Sequence, residues 1–173
     1  MAELIRLLAA KRVPLGFVFG MVVMWLARPT LGSLVLGEAV AVLGEALRFW
    51  AAGHLEKGRE VTRSGPYRLT RHPLYTGSAI IGLGVAIAAA RFSAAVLVGV
   101  YLASTVFSAI QIEEAAMRAS FGDQYDAYRD SRAKSVDRPF SLERAMRNKE
   151  YRAIAGLAIV TAILAMKTVF RSR

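Results

Sequence analysis

The sequence of 173 residues contains no cysteine and only two histidines. The absence of cysteine excludes a disulfide framework, a zinc–thiolate site and a cysteine nucleophile. Two histidines leave few of the usual ligands for a metal centre, so we expect no metal. Acidic residues are also scarce, 13 Asp and Glu against 23 Lys and Arg, which gives a formal net charge of +10. Any chemistry must therefore rest on guanidinium, carboxylate, hydroxyl and imidazole groups.

Apolar residues are abundant: they make up 55% of the chain, and the mean hydropathy is +0.38. An ordinary soluble domain reaches about 45–50% on a wider count that includes glycine. This composition excludes a disordered chain. It also argues against a nucleic-acid partner, because the apolar runs are too long for a small basic soluble fold. The length predicts one domain over residues 1–173, a small integral membrane protein.

Five apolar segments are candidates for membrane-spanning helices, which need about 20 residues each. They are residues 13–27, 31–52, 74–90, 92–112 and 154–170. Only Arg91 separates the third from the fourth, which predicts a tight hairpin, and Pro29 suits the turn between the first two. The first segment runs into the second without a small-residue cleavage site, so we expect a span and not a signal peptide. The predicted fold is all-α, with about five transmembrane helices.

Basic residues sort by loop. Most lie in the N-terminal segment with Arg6 and Arg12, in the loop after the second span, and in the long stretch after the fourth. The positive-inside rule places these in the cytoplasm and the C-terminus outside, although the tail is itself basic, with Lys167, Arg171 and Arg173. In a bacterium this would be the cytoplasmic membrane. We expect a cytoplasmic helix over residues 113–134, continuing the fourth span, and a surface helix over 142–151.

The second span carries three charged residues, Glu38, Glu45 and Arg48. A charge inside a membrane span costs several kcal/mol unless it is paired or hydrated, so it marks a functional site by default. Glu45 and Arg48 are three residues apart and can pair. They are either a structural ion pair or part of a site, whereas Glu38 favours the structural interpretation. His54, at the end of this span, is typical of a residue at the membrane surface.

The segment over residues 65–84 combines turn, basic and aromatic residues. Arg71 and His72 stand directly before Pro73, which can open a helix at its first position. The first turn of a helix has unpaired N–H groups that favour an anion. Tyr75 follows Arg71 by one helical turn. The hairpin brings Glu113 and Glu114, at the end of the fourth span, close to these residues, which predicts either a loop salt bridge or a site for a zwitterionic ligand.

Several motifs together resemble the isoprenylcysteine carboxyl methyltransferase family and the related phospholipid N-methyltransferases. They are Leu47-Arg48-Phe49-Trp50-Ala51, Gly65-Pro66-Tyr67-Arg68, Arg71-His72-Pro73-Leu74-Tyr75, and Glu113-Glu114 with Phe121-Gly122 and Tyr125. The resemblance covers about residues 44–140 and implies an integral membrane enzyme that uses S-adenosyl-L-methionine. Its cofactor pocket would be formed by the last membrane helices and the cytoplasmic segment. Residues 136–140 depart from the family's usual ending.

The resemblance also implies roles for individual residues. His72 and Tyr75 would hold the cofactor, Arg71 would hold a carboxylate, Gly82 and Gly84 would lie against the cofactor, and Glu113 and Glu114 would bind its polar groups or orient the acceptor. The acceptor would be lipophilic and reach the pocket from the bilayer. Arg71 or Arg48 would position an acceptor carboxylate, whereas Glu113, Glu114 or Glu45 would take the proton from an acceptor amine.

Two alternatives come from other classes of protein. Membrane sterol reductases resemble this family and use NADPH, but they usually have Asn before the Tyr and Glu after the Gly, where this chain has Leu74 and Ser78. A membrane scaffold that keeps the motif without activity is the second alternative. Binding of S-adenosylhomocysteine, of NADPH or of neither distinguishes the three.

Overall fold

The computed structural model describes residues 2–171, although the side chains of most residues before Pro14 and of Arg171 lie outside the description. The side chains of Arg6 and Arg12, and Arg173 as a whole, therefore lie outside the described residues. The described residues form seven α-helices, a 3₁₀ turn at Gly65–Arg68 and no strand. The all-α prediction is confirmed for this part of the chain.

The seven helices follow the predicted order. They are α1 Ala2–Leu26, α2 Leu31–Ala52, α3 Pro73–Ala89, α4 Phe92–Phe121, α5 Asp123–Arg129, α6 Leu142–Arg147 and α7 Tyr151–Arg171. Helix α4 continues past the predicted span, as the sequence indicates, and ends where Gly122 takes a φ of +46°. The predicted continuous helix over residues 113–134 is therefore wrong in part: the chain breaks at Gly122, whose positive φ ends α4, and the second part, α5, ends at Arg129. Helix α6 is shorter than the predicted surface helix over residues 142–151.

Both predicted tight turns are present and lie side by side. Ala90 takes the left-handed conformation at the end of α3, and Arg91 is extended before α4 begins. In the turn between α1 and α2, the backbone N–H of Arg28 donates to the carbonyl of Ala89 at 2.8 Å. Thr30 then caps α2 in a reciprocal arrangement with Ser33. The two hairpins thus meet at one end of the helix bundle.

Helices α2 and α3 pack closely through small residues. A Cβ atom on Gly84 would lie 2.5 Å from the carbonyl oxygen of Gly37, and one on Gly44 would lie 2.7 Å from that of Gly77. Small residues at such spacing let two helix backbones approach within a membrane. This contact fixes α3 against the charged helix α2, and so places the start of α3 beside Arg48.

The five-span topology is not confirmed. Two helices, Phe92–Phe121 and Tyr151–Phe170, are long and apolar enough to cross a membrane, and two shorter apolar segments are Pro14–Leu26 and Pro73–Ala89. Helix α2, with its charged residues, is not among them. Large apolar side chains nevertheless point outward on four helices, among them Trp25, Leu43, Phe107 and Phe170. Only 6% of the most apolar part of α7 is buried, which indicates a helix that faces lipid and not a soluble core.

The two ends of the bundle differ in packing. At the hairpin end, Val23, Ala88, Ala89 and Leu164 belong to a closely packed apolar cluster. Lys167 of α7 donates to the carbonyls of Met24 and Trp25 and so caps the end of α1. At the other end a cavity is lined by residues of α2, α3 and α4.

Candidate functional site

A cavity of about 710 Å³ lies at the open end of the bundle. Its walls come from the end of α2, the first turns of α3, one face of α4, helix α5 and the loop over residues 55–62, with residues 148 and 150 closing one side. This volume falls in the range of pockets for small molecules and cofactors, about 300–1,000 Å³.

The first polar cluster of the site is formed by Arg71, His72 and Glu114. Pro73 occupies the first position of α3, so His72 precedes the helix and Arg71 precedes His72. Oε1 of Glu114, on α4, lies 3.0 Å from Nε2 of His72 and 3.3 Å from Nη1 of Arg71. One carboxylate thus holds both basic side chains. The predicted proximity of Glu114 to Arg71 and His72, which the hairpin between α3 and α4 implies, is present. Arg71 and His72 line the cavity, and Glu114 orients them from behind.

Nδ1 of His72 is a buried polar atom in this cluster with no hydrogen-bond partner among the described residues. The hydroxyl of Tyr125 is buried in the same cluster and interacts with the Glu114 carboxylate. Burial is the main reason why the pKa of Tyr125 rises to about 12, so this hydroxyl stays protonated at neutral pH and can donate. Buried polar groups are rarely left unpaired. A ligand with polar groups fits here, because it would satisfy Nδ1 of His72.

Helix α5 covers this end of the cavity. Gly122 turns the chain, and Tyr125 and Tyr128 then both line the cavity. The hydroxyl of Tyr128 donates to the carbonyl of Tyr67 at 2.7 Å, which fastens α5 to the 3₁₀ turn. Burial raises the pKa of Tyr128 to about 12, so this donor is also retained at neutral pH.

The second polar cluster joins α2, α3 and the segment directly before α7. Nε of Arg48 lies 2.7 Å from Oε1 of Glu150, and Nη2 donates to Oε2 of the same carboxylate at 3.1 Å. Nη1 of Arg48 donates to the carbonyl of Leu74 and to the hydroxyl of Ser78. Glu45 lies on the far side, 3.8 Å from Arg48, and its carboxylate has no hydrogen-bond partner among the described residues.

An apolar stripe of α4 forms the long wall of the cavity. The stripe consists of Leu102, Val106, Ala109 and Ile112, which recur at three- and four-residue spacing and so share one helix face. Tyr101 and Thr105 add two hydroxyls to the same face. The cavity therefore combines polar clusters on one side with an apolar wall on the other.

The predicted site residues divide into two groups. Arg48, Arg71, His72, Tyr75 and Glu113 line the cavity. The lining does not include Glu45, Glu114, Gly82 or Gly84. Gly82 packs against Leu102 of α4, and Gly84 packs against α2. The predicted contact of these two glycines with a cofactor stays a prediction.

Sequence reasoning missed the contribution of the C-terminal third. Asn148 and Glu150 line the cavity, and Asn148 donates to the carbonyls of Ala52 and Leu55 at 2.9 Å. Glu150 stands just before an apolar helix, where a charge is typical of a membrane interface, so the sequence carries no signal for burial. The segment over residues 136–140, which departs from the family pattern, runs beside the 3₁₀ turn: the N–H of Val136 donates to the carbonyl of Arg63.

Comparison with known proteins places the chain in a family. Residues 15–124 match the phospholipid methyltransferase family, and the chain belongs to it. A protein-S-isoprenylcysteine O-methyltransferase from Schizosaccharomyces pombe is 29% identical over 99 residues, which are 57% of this chain and 42% of that protein. The chain thus matches less than half the length of this relative. No solved structure matches.

Proposed function

We propose that this chain is an integral membrane methyltransferase that takes a methyl group from S-adenosyl-L-methionine and transfers it to a lipophilic acceptor. The observation that carries the proposal is the cavity, in which the family's motif residues form a polar end beside an apolar wall. The donor supplies an activated methyl group on a sulfonium. The protein has mainly to align the acceptor with that methyl group and to exclude water.

The polar end at Arg71, His72 and Tyr125 is the donor side in this proposal. Nδ1 of His72 is available for the donor's polar groups, and the Tyr125 side chain lines the same end of the cavity. The guanidinium of Arg71, held by Glu114, suits the donor's carboxylate, since charge-assisted hydrogen bonds are stronger than neutral ones. Tyr75 and Glu113 complete the wall around these groups.

The apolar stripe of α4 is the acceptor side. The same helix presents large apolar side chains such as Phe107 to the outside of the bundle. A lipid tail in the bilayer would therefore reach the apolar stripe without crossing water. A carboxylate acceptor needs no base, and Arg71 would position it. An amine acceptor must lose a proton, and Glu113 is the predicted base that lines the cavity. The names of the family and of the yeast relative give two lipophilic acceptors, a phospholipid and a protein isoprenylcysteine.

Calorimetric titration of the protein in nanodiscs tests the proposal. We expect S-adenosylhomocysteine to bind and NADPH not to bind, because the family match favours a methyl donor over a nicotinamide cofactor. Binding of NADPH alone would move the chain to the reductases. A folded sample that binds neither would favour a scaffold.

Arg71→Ala sharpens this test. Loss of a charge-assisted contact, worth about 1.5–3 kcal/mol, should weaken S-adenosylhomocysteine binding roughly 10- to 100-fold and abolish turnover. Arg132→Ala is the matched control, because Arg132 also pairs with an acidic residue, Asp130, but does not line the cavity. Methyl transfer from labelled donor is then measured with a prenylcysteine and with phosphatidylethanolamine as acceptors. Retained activity in Arg71→Ala contradicts the assignment.

A further inference from the structure

Glu150 is a buried charged residue that neither the motif nor the family match includes. The match ends at residue 124, and Glu150 lies between α6 and α7. Its surface is only 4% exposed, yet it is among the residues that line the cavity. A carboxylate in such a place is costly unless a partner compensates it, and the partner is Arg48.

Arg48 transmits the position of Glu150 to helix α3. Glu150 contacts Nε of the guanidinium and accepts a hydrogen bond from Nη2. Nη1 donates to the carbonyl of Leu74 and to the hydroxyl of Ser78. Ser78 in turn donates to the Leu74 carbonyl at 2.9 Å. The pair therefore holds the first turns of α3, directly after His72 and around Tyr75.

These contacts limit what Arg48 itself can do. Three of its five N–H groups donate to the protein, and the buried Nε lies 2.7 Å from Oε1 of Glu150, which leaves one N–H group of Nη2 for a ligand. Arg48 cannot bind a ligand carboxylate with two parallel hydrogen bonds without releasing Glu150 or α3. These contacts therefore favour an indirect role of Arg48, through α3, over the predicted direct contact with the carboxylate of the methyl acceptor.

A purely stabilising role explains the pair less well. Replacing a buried ion pair by apolar residues of similar volume is often neutral or stabilising, so such a pair is weak support for stability alone. It does fix geometry, because Nη2 of Arg48 donates to Oε2 of Glu150 while Nη1 donates to Leu74 and Ser78 on α3. The geometry that it fixes is the part of α3 that carries His72 and Tyr75 into the cavity.

We propose that Glu150 is a positioning residue: through Arg48 it fixes the first turns of α3, and thereby the places of His72 and Tyr75 on the cavity wall. This inference rests on the proposed function for its consequence, which is tighter binding of the donor. Its structural part, the immobilisation of α3 by a residue at the start of α7, is independent of any ligand.

The test compares Glu150→Gln and Glu150→Leu with Thr161→Val. Glutamine keeps one acceptor oxygen and leucine keeps none, so the effect should be graded. Thr161→Val is the matched control, because the Thr161 hydroxyl donates to Glu38 at 2.6 Å and also links α7 to α2, but neither residue lines the main cavity. The thermal unfolding midpoint of each variant is measured as well, so that effects on exchange and affinity are separated from a general loss of stability.

Hydrogen exchange without ligand gives the first readout. We expect faster exchange of the backbone amides at residues 75–80 in Glu150→Leu, a smaller increase in Glu150→Gln, and none in Thr161→Val. The second readout is S-adenosylhomocysteine affinity, which should fall about tenfold in Glu150→Leu and less in Glu150→Gln, as for coupled sites. Unchanged exchange in both Glu150 variants, or equal effects in Thr161→Val, overturns the inference. A wild-type protein that binds no S-adenosylhomocysteine overturns the proposed function instead, and leaves the exchange result to decide on Glu150.

Discussion

At the hairpin end of the bundle, small side chains such as Ala88, Ala89 and Ala94 pack without a sizeable void, whereas the opposite end encloses a cavity of about 710 Å³ between charged and aromatic groups. Helices α2, α3 and α4 contribute residues to both ends. Close contacts between glycines and alanines dominate one end, and charged and aromatic side chains, among them Arg48, Tyr67 and Tyr125, line the other.

The difference indicates that the two ends of the bundle depend on different interactions. The hairpin end depends on close packing, so added volume should harm it. The cavity end depends on charge and hydrogen bonds between distant segments, so loss of single polar groups should harm it. Each of the following variants tests one side of this comparison.

The largest effect is expected for Glu114→Ala at the cavity end. This variant removes the carboxylate that holds both Arg71 and His72, so both basic side chains lose the partner that orients them toward the cavity. S-adenosylhomocysteine affinity should fall roughly 30-fold in a titration, which is about 2 kcal/mol of binding free energy. Asp126→Ala is the control, because Asp126 also pairs with two arginines but lies outside the cavity lining. Similar affinities in the two variants would contradict the donor site.

Gly84→Ala tests the packed helix contact. The new methyl group would meet the backbone of Gly37, and such overpacking costs about 1–3 kcal/mol. The midpoint of thermal unfolding in detergent should fall. Gly99→Ala, in α4, has nothing within 4 Å of the new atom and should be neutral or slightly stabilising. A folded Gly84→Ala protein that loses S-adenosylhomocysteine affinity would instead support the cofactor contact that the resemblance implies.

The sequence predicts the local parts of this architecture well. The hairpin at Arg91 and the turn at Pro29 follow from single residues that end helices, and the continuation of α4 past Ile112 follows from its pattern of charges. The number of spans was harder to predict. Charged residues on α2 are compatible with a membrane only through partners outside that helix, such as Ser78 on α3 and Glu150 in the segment before α7, and those partners are distant in sequence.

The site was predictable where its residues lie on either side of one hairpin. Arg71, His72 and Glu114 meet because α3 and α4 are joined by a tight turn, so their proximity follows from topology. Glu150 comes from a segment whose path the sequence does not fix. The loop that carries it is held by side chains that cap backbone carbonyls, as Asn148 does at the end of α2, and such contacts have no periodic pattern.

The smallest effect concerns pH and the loops beneath the cavity. His54 is only 4% exposed, and its Nδ1 lies 3.1 Å from the hydroxyl of Ser64. Burial lowers the pKa of His54 below its usual value of 6.5, and Arg144, Arg138 and Arg68 lower it further. The unfolded chain therefore binds a proton at His54 more readily than the folded one. Stability from this residue is complete above about pH 6.5 and decreases as the pH falls below that value.

His54→Asn isolates this contribution, because an asparagine can replace Nδ1 as the partner of Ser64 without titrating. The thermal midpoint of the wild-type protein should fall more steeply between pH 7 and pH 5 than that of the variant. The packed end has no histidine among its cluster residues, so the difference should appear as faster hydrogen exchange in residues 53–65 and not in residues 85–95. Parallel pH profiles for the two proteins would show that His54 does not titrate in this range, and would remove pH sensitivity from the list of differences between the two ends.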